Sequence, residues 1–120
     1  MKLGDSLSIT RLVSVNETAK FLGSGTLEVY ATPAMICHME QASCKFAEQF
    51  GHHTVGTKVD ISHVRACKVG TEVMITAELT GIDGRKLEFH VTAKDCNGVI
   101  GEGRHERFII DPERFMSKLG

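Results

Sequence analysis

Residues 31–50, ATPAMICHMEQASCKFAEQF, have the spacing of one long helix that packs on a core. Apolar side chains recur every three or four residues, and the polar side chains fall on a separate stripe. Thr32 is typical of an N-cap, Pro33 fits a first helical turn, and Gly51 suits the end of a helix. The sequence therefore predicts a helix over residues 33–50. Its predicted polar stripe consists of His38, Gln41, Lys45, Glu48 and Gln49.

Outward from this helix, the chain alternates between apolar and polar residues as β-strands do. Asp83–Gly84 and Asn97–Gly98 are strong hairpin signals between the later strands. One strand before the helix and four after it predict an α+β fold, in which an antiparallel sheet wraps around one central helix. The expected elements are a strand over about 6–15, a loop over 16–25, extended runs over 53–67, 71–82, 85–96 and 99–110, and a short helical turn over 111–119.

Length and composition narrow the functional classes. A chain of 120 residues suits one domain, residues 1–120, and a formal net charge of −1 gives no basic field for nucleic acid. We expect no signal peptide and no membrane span, and hence a cytoplasmic protein. The four cysteines lack C-x-x-C spacing, so reduced thiols are expected. The adjacent His52 and His53 lack further ligands at suitable spacing, so no metal site is expected.

Two ionisable residues stand at positions where the pattern favours apolar ones. Glu40 lies on the predicted helix away from the polar stripe, and a buried carboxylate must be paired, hydrogen-bonded or shifted in pKa. The alternative is a carboxylate at the flank of the helix that reaches water or an arginine. His63 keeps the phase of Val59 and Ile61 along its strand, so it is either a core histidine or a catalytic one.

Three further residues have both a structural and a functional interpretation. Thr32 either caps the helix or offers a hydroxyl where the helix dipole favours an anion or a developing oxyanion. Arg107 shares one strand face with His105 and is either solvated or a clamp on an anionic ligand or on Glu40. Gly56 marks either a bulge or a close approach of the backbone to a ligand.

Three segments together carry a resemblance to a known family. They are VYATPAMICHMEQAS at residues 29–43, VGTKVDISHVRAC at 55–67 and GEGRHERFII at 101–110. Taken jointly, they resemble the hotdog-fold thioesterases, and most closely the fluoroacetyl-CoA thioesterase-like branch. The resemblance covers nearly the whole chain.

The resemblance implies an acyl-CoA thioesterase that needs no cofactor, because coenzyme A is part of its substrate. It implies an incomplete antiparallel sheet around a central helix, and a homodimer whose sheets join edge to edge near the acyl-CoA site. Pairing of dimers into larger assemblies stays open. Thr32, Glu40 and His63 fall on the catalytic positions of the family, and Gly56 and Arg107 on its substrate-contacting positions.

One departure bears on the substrate. The name-giving member of the branch carries phenylalanines in the segment before the threonine, whereas here Gly23, Ser24, Gly25 and Thr26 occupy that segment. We therefore expect a short acyl thioester in general rather than a fluorinated one. Two other functions stay open, namely a non-catalytic acyl-CoA binding or sensor protein and a hotdog 3-hydroxyacyl-thioester dehydratase or hydratase. Free thiol appears only if the thioester is hydrolysed.

Overall fold

Five antiparallel strands form one sheet around a single long helix in the computed structural model, which describes residues 1–120. The strands lie in the spatial order β1-β3-β4-β5-β2. Helix α2 packs across the sheet, mainly against β1, β2, β3 and β4. The predicted α+β arrangement is therefore confirmed. The elements are β1 (Ser6–Leu12), α1 (Ala19–Leu22), α2 (Thr32–Glu48), β2 (His53–His63), β3 (Glu72–Asp83), β4 (Lys86–Asp95), β5 (Gly98–Ile110) and α3 (Pro112–Ser117), with a 3-10 turn at Val15–Glu17.

Two glycine turns connect the last three strands. Gly84 has φ of 60° between β3 and β4, and Gly98 has φ of 118° between β4 and β5. Both angles lie in the left-handed region, which side chains with a Cβ rarely adopt. The two predicted hairpins are confirmed, and they fix the registers of β4 with its neighbours.

The core lies between α2 and the faces of the sheet that point toward it. Along β3 and β4 every second residue is fully buried, as the alternating pattern predicts. These side chains meet the apolar side of α2, and each buried large side chain contributes roughly 1.5–3 kcal/mol to the free energy of unfolding. The buried set comprises Val73, Ile75, Ala77, Leu79, Leu87, Phe89, Val91 and Ala93 from the strands and Met35, Met39, Ala42 and Phe46 from the helix.

Both ends of α2 differ from the sequence prediction. The helix begins at Thr32, and Ala31, with φ of −77° and ψ of 141°, occupies the N-cap position without a side-chain cap. The prediction that Thr32 caps the helix is therefore wrong, because its hydroxyl bonds to a side chain of another element. The helix ends at Glu48, and Phe50 beyond it is 39% exposed.

The segment before α2 also corrects the prediction. The loop expected over 16–25 contains the end of the 3-10 turn and the four-residue helix α1. Pairing between Thr18 and Tyr30 brings the two ends of this segment together. Glu17 at its start contacts His38, which is only 4% exposed. Placing His38 on a solvent-facing stripe was therefore wrong, since distant residues bury that side of the helix.

Strand β2 is an edge strand. It bonds to β5 on one side, and the other side has no strand partner within the chain. The register shifts between Gly56 and Lys58, which confirms the predicted irregularity there. Separately, no helix combines the length and apolar character that a membrane crossing requires.

Candidate active site

Thr32 and His63 form a hydrogen-bonded pair where α2 begins and β2 ends. The distance between Thr32 Oγ1 and His63 Nδ1 is 2.8 Å. The pair forms because Thr32 is the first residue of α2, one residue before the predicted start of the helix. This start directs the Thr32 hydroxyl toward the neighbouring strand rather than back onto its own first turn. A hydroxyl beside an imidazole is the arrangement in which the imidazole accepts a proton as the oxygen attacks.

The environment of His63 keeps its imidazole neutral. Burial lowers the pKa of His63 below its usual 6.5. Its other ring nitrogen, Nε2, is buried and has no hydrogen-bond partner within the chain. A neutral imidazole accepts a proton through one nitrogen only, so Nδ1 can serve Thr32 when Nε2 carries the hydrogen.

A pocket of about 420 Å³ opens beside this pair. Small side chains dominate its wall, and the Tyr30 ring stands edge-on to the His63 ring with the two centroids 6.2 Å apart. The volume of the pocket suits a group of modest size close to the Thr32 oxygen. Its lining consists of Ala19, Ser24, Val29, Tyr30, Ala31, Thr32, Pro33, His63 and Ala66.

Glu40, Gly56 and Arg107 form a second group. Glu40 Oε2 lies 3.8 Å from Arg107 Nη1, and the Glu40 side chain is 43% exposed. The alternative of a flanking carboxylate that reaches an arginine is therefore the one observed. Gly56 on β2 leaves room for both side chains, because a Cβ there would lie 3.1 Å from Glu40 Oε2 and 3.2 Å from Arg107 Nη1.

Arg107 is buried and held by neighbours that sequence reasoning did not all identify. Its Nε donates to Thr54 Oγ1 at 2.8 Å, and its Nη2 donates to the Thr54 carbonyl. His105 Nδ1 lies 2.8 Å from the carbonyl oxygen of Lys58, so Nδ1 carries the hydrogen and Nε2 accepts from Arg107 Nη1 at 3.1 Å. The alternation of β5 placed His105 and Arg107 on one face, but nothing local indicated Thr54. The arginine fork is thereby aimed at Glu40.

Within one chain, the five candidate residues form two separate groups and not a single site. Thr32 and Glu40 are eight positions apart on α2, which corresponds to about 12 Å along the helix axis. His63 sits at one end of β2, whereas Gly56 lies nearer the other. No cluster of three or more His, Cys, Asp or Glu side chains is arranged to hold a metal ion.

A buried network beside the first group escaped the sequence analysis. The Tyr30 hydroxyl lies 2.5 Å from His38 Nδ1, and His38 Nε2 lies 2.8 Å from Glu17 Oε2. Tyr30 is 1% exposed and His38 4%. The three residues are far apart in sequence, so periodicity carried no signal of their contact.

Gly56 provides a direct test of the second group. We expect Gly56→Ala to lower thiol release from an acyl-CoA about tenfold and the free energy of unfolding by less than about 1 kcal/mol. The added Cβ displaces the half-exposed Glu40 carboxylate, which moves at little energetic cost but leaves its position beside Arg107. The measurements are steady-state kinetics and urea unfolding. Unchanged activity would show that the position of Glu40 is unimportant.

The chain matches known proteins over most of its length. Residues 13–113 match the model of a family described as fluoroacetyl-CoA-specific thioesterase. A fluoroacetyl-CoA thioesterase from Streptantibioticus cattleyicolor is 37% identical over 95 residues, which are 77% of this chain and 68% of that protein. The solved fluoroacetyl-CoA thioesterase FlK superposes with a TM-score of 0.93 at 31% identity, over 99% of this chain and 95% of that one. Variants of FlK were solved with acetyl-CoA and with fluoroacetate and CoA.

The fold has a wider distribution. A hot-dog-like protein from Thermanaerovibrio acidaminovorans superposes with a TM-score of 0.89 at 19% identity, over 99% of this chain and 90% of that one, and this likeness concerns the fold alone. The sheet around one helix has the hotdog fold, and the matches to thioesterases make the chain a hotdog-fold thioesterase. Within that class, the chain belongs to the fluoroacetyl-CoA-specific thioesterase family. The resemblance and the hotdog fold predicted from the sequence are confirmed.

Proposed function

We propose that this protein hydrolyses the thioester of a small acyl-CoA to a free acid and CoA, with Thr32 and His63 as the reacting pair. The observation that carries the proposal is the 2.8 Å hydrogen bond between Thr32 Oγ1 and His63 Nδ1, which lies at the wall of the pocket. Membership of a thioesterase family supports it. The substrate supplies coenzyme A, so we propose that no further cofactor is needed.

The pair suits nucleophilic attack on a thioester. His63 accepts the hydroxyl proton as Thr32 Oγ1 bonds to the carbonyl carbon, and the same proton then goes to the departing CoA sulfur. Water cleaves the resulting acyl-threonine ester and restores the hydroxyl. Thiolates leave more readily than amines, so a single imidazole suffices for both proton transfers.

The start of α2 supplies the charge stabilisation. The first N–H groups of a helix lack partners within the helix and point outward at its positive end. Thr32 is the first residue of α2, so an oxyanion formed on the carbonyl bound to it lies at this end. Such donors typically lower the barrier by several kcal/mol. The helix start thereby combines the nucleophile with the oxyanion site.

Glu40 would then position the water. Its half-exposed carboxylate stands beside the fixed Arg107 guanidinium, so it is oriented and accessible. The distance of about 12 Å along α2 separates it from Thr32 of the same chain. We therefore assign Glu40 to the site of a second subunit, with Gly56 and Arg107 as its supports.

The free edge of β2 offers the route to that second subunit. An antiparallel pairing of two copies of this 11-residue strand about an axis near Lys58 would set His63 of one opposite His53 of the other. His53 is three residues, or about 10 Å, from Gly56 along the strand. Exposed Val59, 44% accessible, lies in the middle of this edge. We thus propose a homodimer with two shared sites, and we leave open whether dimers associate further.

The acyl pocket favours small groups without selecting fluorine. The residues before α2 that line or flank it, Gly23 to Thr26, carry no aromatic ring, and Ser24 lies in its wall. A volume of about 420 Å³ suits a short or branched acyl chain. The test is thiol release from a panel of acetyl, short branched, aromatic and long-chain acyl-CoAs. Binding without thiol release would indicate a sensor, and hydration of an enoyl-CoA without thiol release would indicate a hydratase.

The same reaction predicts a pH profile. Only neutral His63 accepts the Thr32 proton, and burial lowers its pKa below 6.5. Activity is therefore retained below pH 6.5 and falls as the pH drops through the lowered pKa of His63. We expect the acidic limb of kcat/KM to have its midpoint below 6.5 and to persist in Thr32→Ser. A limb centred above pH 7 would contradict the assignment of His63 as the base.

Two further parts of the proposal concern the setting of the reaction. We propose that residues 1–120 act as one hotdog domain, because every candidate residue lies on α2 or on the single sheet that packs against it around one core. We also propose a cytoplasmic location. All four cysteines are free, which suits a reducing compartment.

A further inference from the structure

The Glu17–His38–Tyr30 network is the one buried polar cluster that the proposed reaction does not use. Its members come from the 3-10 turn, from α2 and from the residue pair before Thr32. A carboxylate only accepts hydrogen bonds, so His38 Nε2 carries the hydrogen that bonds to Glu17. Burial lowers the pKa of His38 and so favours the neutral ring, in which Nδ1 accepts from the Tyr30 hydroxyl. Every polar group of the network is thus paired.

The network ends at the reacting pair. The Tyr30 ring stands edge-on to the His63 ring, with the two ring centroids 6.2 Å apart and an interplanar angle of 80°. The Tyr30 backbone N–H donates to the Cys67 carbonyl at 2.9 Å, which fixes the residue to the segment that follows β2. Tyr30 is also two residues before Thr32, so a rotation of its side chain disturbs both members of the pair.

His63 has few other restraints. One ring nitrogen bonds to Thr32, and the other, Nε2, has no partner. In a Ser-His-Asp catalytic triad a carboxylate orients the histidine. No carboxylate of this chain bonds to His63 in that way. The Arg65 backbone also lies near the imidazole, and packing against the Tyr30 ring is the side-chain contact, beside the one to Thr32, that can hold the ring plane.

We propose that Glu17, His38 and Tyr30 are positioning residues that hold the His63 imidazole in line with the Thr32 hydroxyl. This inference rests on the proposed function, because it assigns the network to the Thr32–His63 pair. Glu17 fixes the tautomer of His38, His38 fixes the hydroxyl of Tyr30, and the Tyr30 ring fixes His63. The network acts through packing and transfers no proton to substrate.

The test uses variants that cut the network at known bonds. Tyr30→Phe removes the hydroxyl and keeps the ring. His38→Gln places its amide near Nε2, so it retains the bond to Glu17 and loses the one to Tyr30. His38→Asn places its oxygen near Nδ1, so it retains the bond to Tyr30 and loses the one to Glu17, whose side chain is 26% exposed and can bond to water. Phe46→Leu, in the core and away from this network, controls for lost stability.

We expect Tyr30→Phe and His38→Gln each to lower kcat about tenfold with KM within about twofold, because a small misplacement of a catalytic group slows chemistry more than binding. His38→Asn should stay within about threefold of wild type, and the Tyr30→Phe/His38→Gln double variant should match the single ones. If His38→Gln does not fold, Tyr30→Phe with Phe46→Leu decides the matter. A loss of kcat that only follows the melting temperature, as in Phe46→Leu, would overturn the proposal.

A second readout does not depend on turnover. The imidazole nitrogen resonances and the pKa of His63, followed by NMR without substrate, should change in Tyr30→Phe and stay near wild type in His38→Asn. Unchanged His63 resonances in Tyr30→Phe would refute the network. If the wild type releases no thiol from any acyl-CoA, the proposed function fails, and the NMR comparison still decides whether the network holds His63.

Discussion

Replacing His63 with alanine is expected to lower kcat for thiol release about 10³-fold and to change KM less than about threefold. The imidazole is the only base in contact with the Thr32 hydroxyl, which alone loses its proton far too reluctantly to attack a thioester. In the proposed reaction the imidazole moves protons, so we expect affinity for the acyl-CoA to be largely retained. The measurement is steady-state thiol release together with binding of a nonhydrolysable thioester analogue.

The threonine provides the matched variants for this result. Thr32→Ala should lose activity to a similar extent, and the double variant with His63→Ala should lose no more, because two groups that act as one unit are not additive. Thr32→Ser keeps the hydroxyl and should retain activity within about tenfold. A fully active Thr32→Ala would instead mean that the hydroxyl is dispensable, and the nucleophile or base would have to be sought at Glu40.

A mixed dimer of Thr32→Ala and Glu40→Gln subunits should regain about half of the wild-type kcat per dimer, although each variant alone is expected to lose about 10²-fold or more. If Thr32 comes from one subunit and Glu40 from the other, one site of the mixed dimer carries both substitutions and the other carries neither. The experiment requires coexpression with two affinity tags, tandem purification and thiol-release kinetics.

A second mixed dimer provides the control. Its two subunits carry Thr32→Ala and His63→Ala. Because Thr32 and His63 of the same chain form one hydrogen-bonded pair, each site of this dimer lacks one member of the pair, and no activity should return. If both mixed dimers were inactive, all catalytic residues of each site would come from one subunit. If light scattering showed a monomer at the assay concentration, no site could be shared between subunits.

Much of the fold follows from local sequence. Asp83–Gly84 and Asn97–Gly98 fix two hairpins through backbone angles that few residues adopt, so the chain itself determines the register of β3 to β5. The alternation of β3 and β4 identifies the buried faces for the same reason. What the pattern missed is set by distant contacts. His38 has the polarity of a solvent-facing residue, but Glu17 and Tyr30 cover it from a segment that periodicity describes only as a loop.

In the candidate site, too, local sequence predicts some features and distant contacts determine the others. Motif resemblance predicted all five positions, which stay predictions, and alternation correctly put His105 and Arg107 on one face, which is buried. The eight-residue spacing on one helix already separates Thr32 from Glu40 by about 12 Å along the axis. The helical wheel did not show how exposed Glu40 is, since it gives direction around the axis without the neighbours beyond it. The carboxylate of Glu40 is half exposed rather than sealed in the core, and that exposure makes it available to a second subunit.

The position of Tyr30 gives the protein an optical reporter of its own site. The chain has one tyrosine and no tryptophan, so its near-ultraviolet absorbance and emission arise almost entirely from Tyr30. Tyr30 belongs to the wall of the pocket beside Thr32, its ring stands edge-on to His63, and its hydroxyl is hydrogen-bonded to His38. Occupation of the pocket or rearrangement of the network thus changes the signal of one known residue. Ligand entry can be followed in the unlabelled protein without introducing a dye or a second aromatic residue.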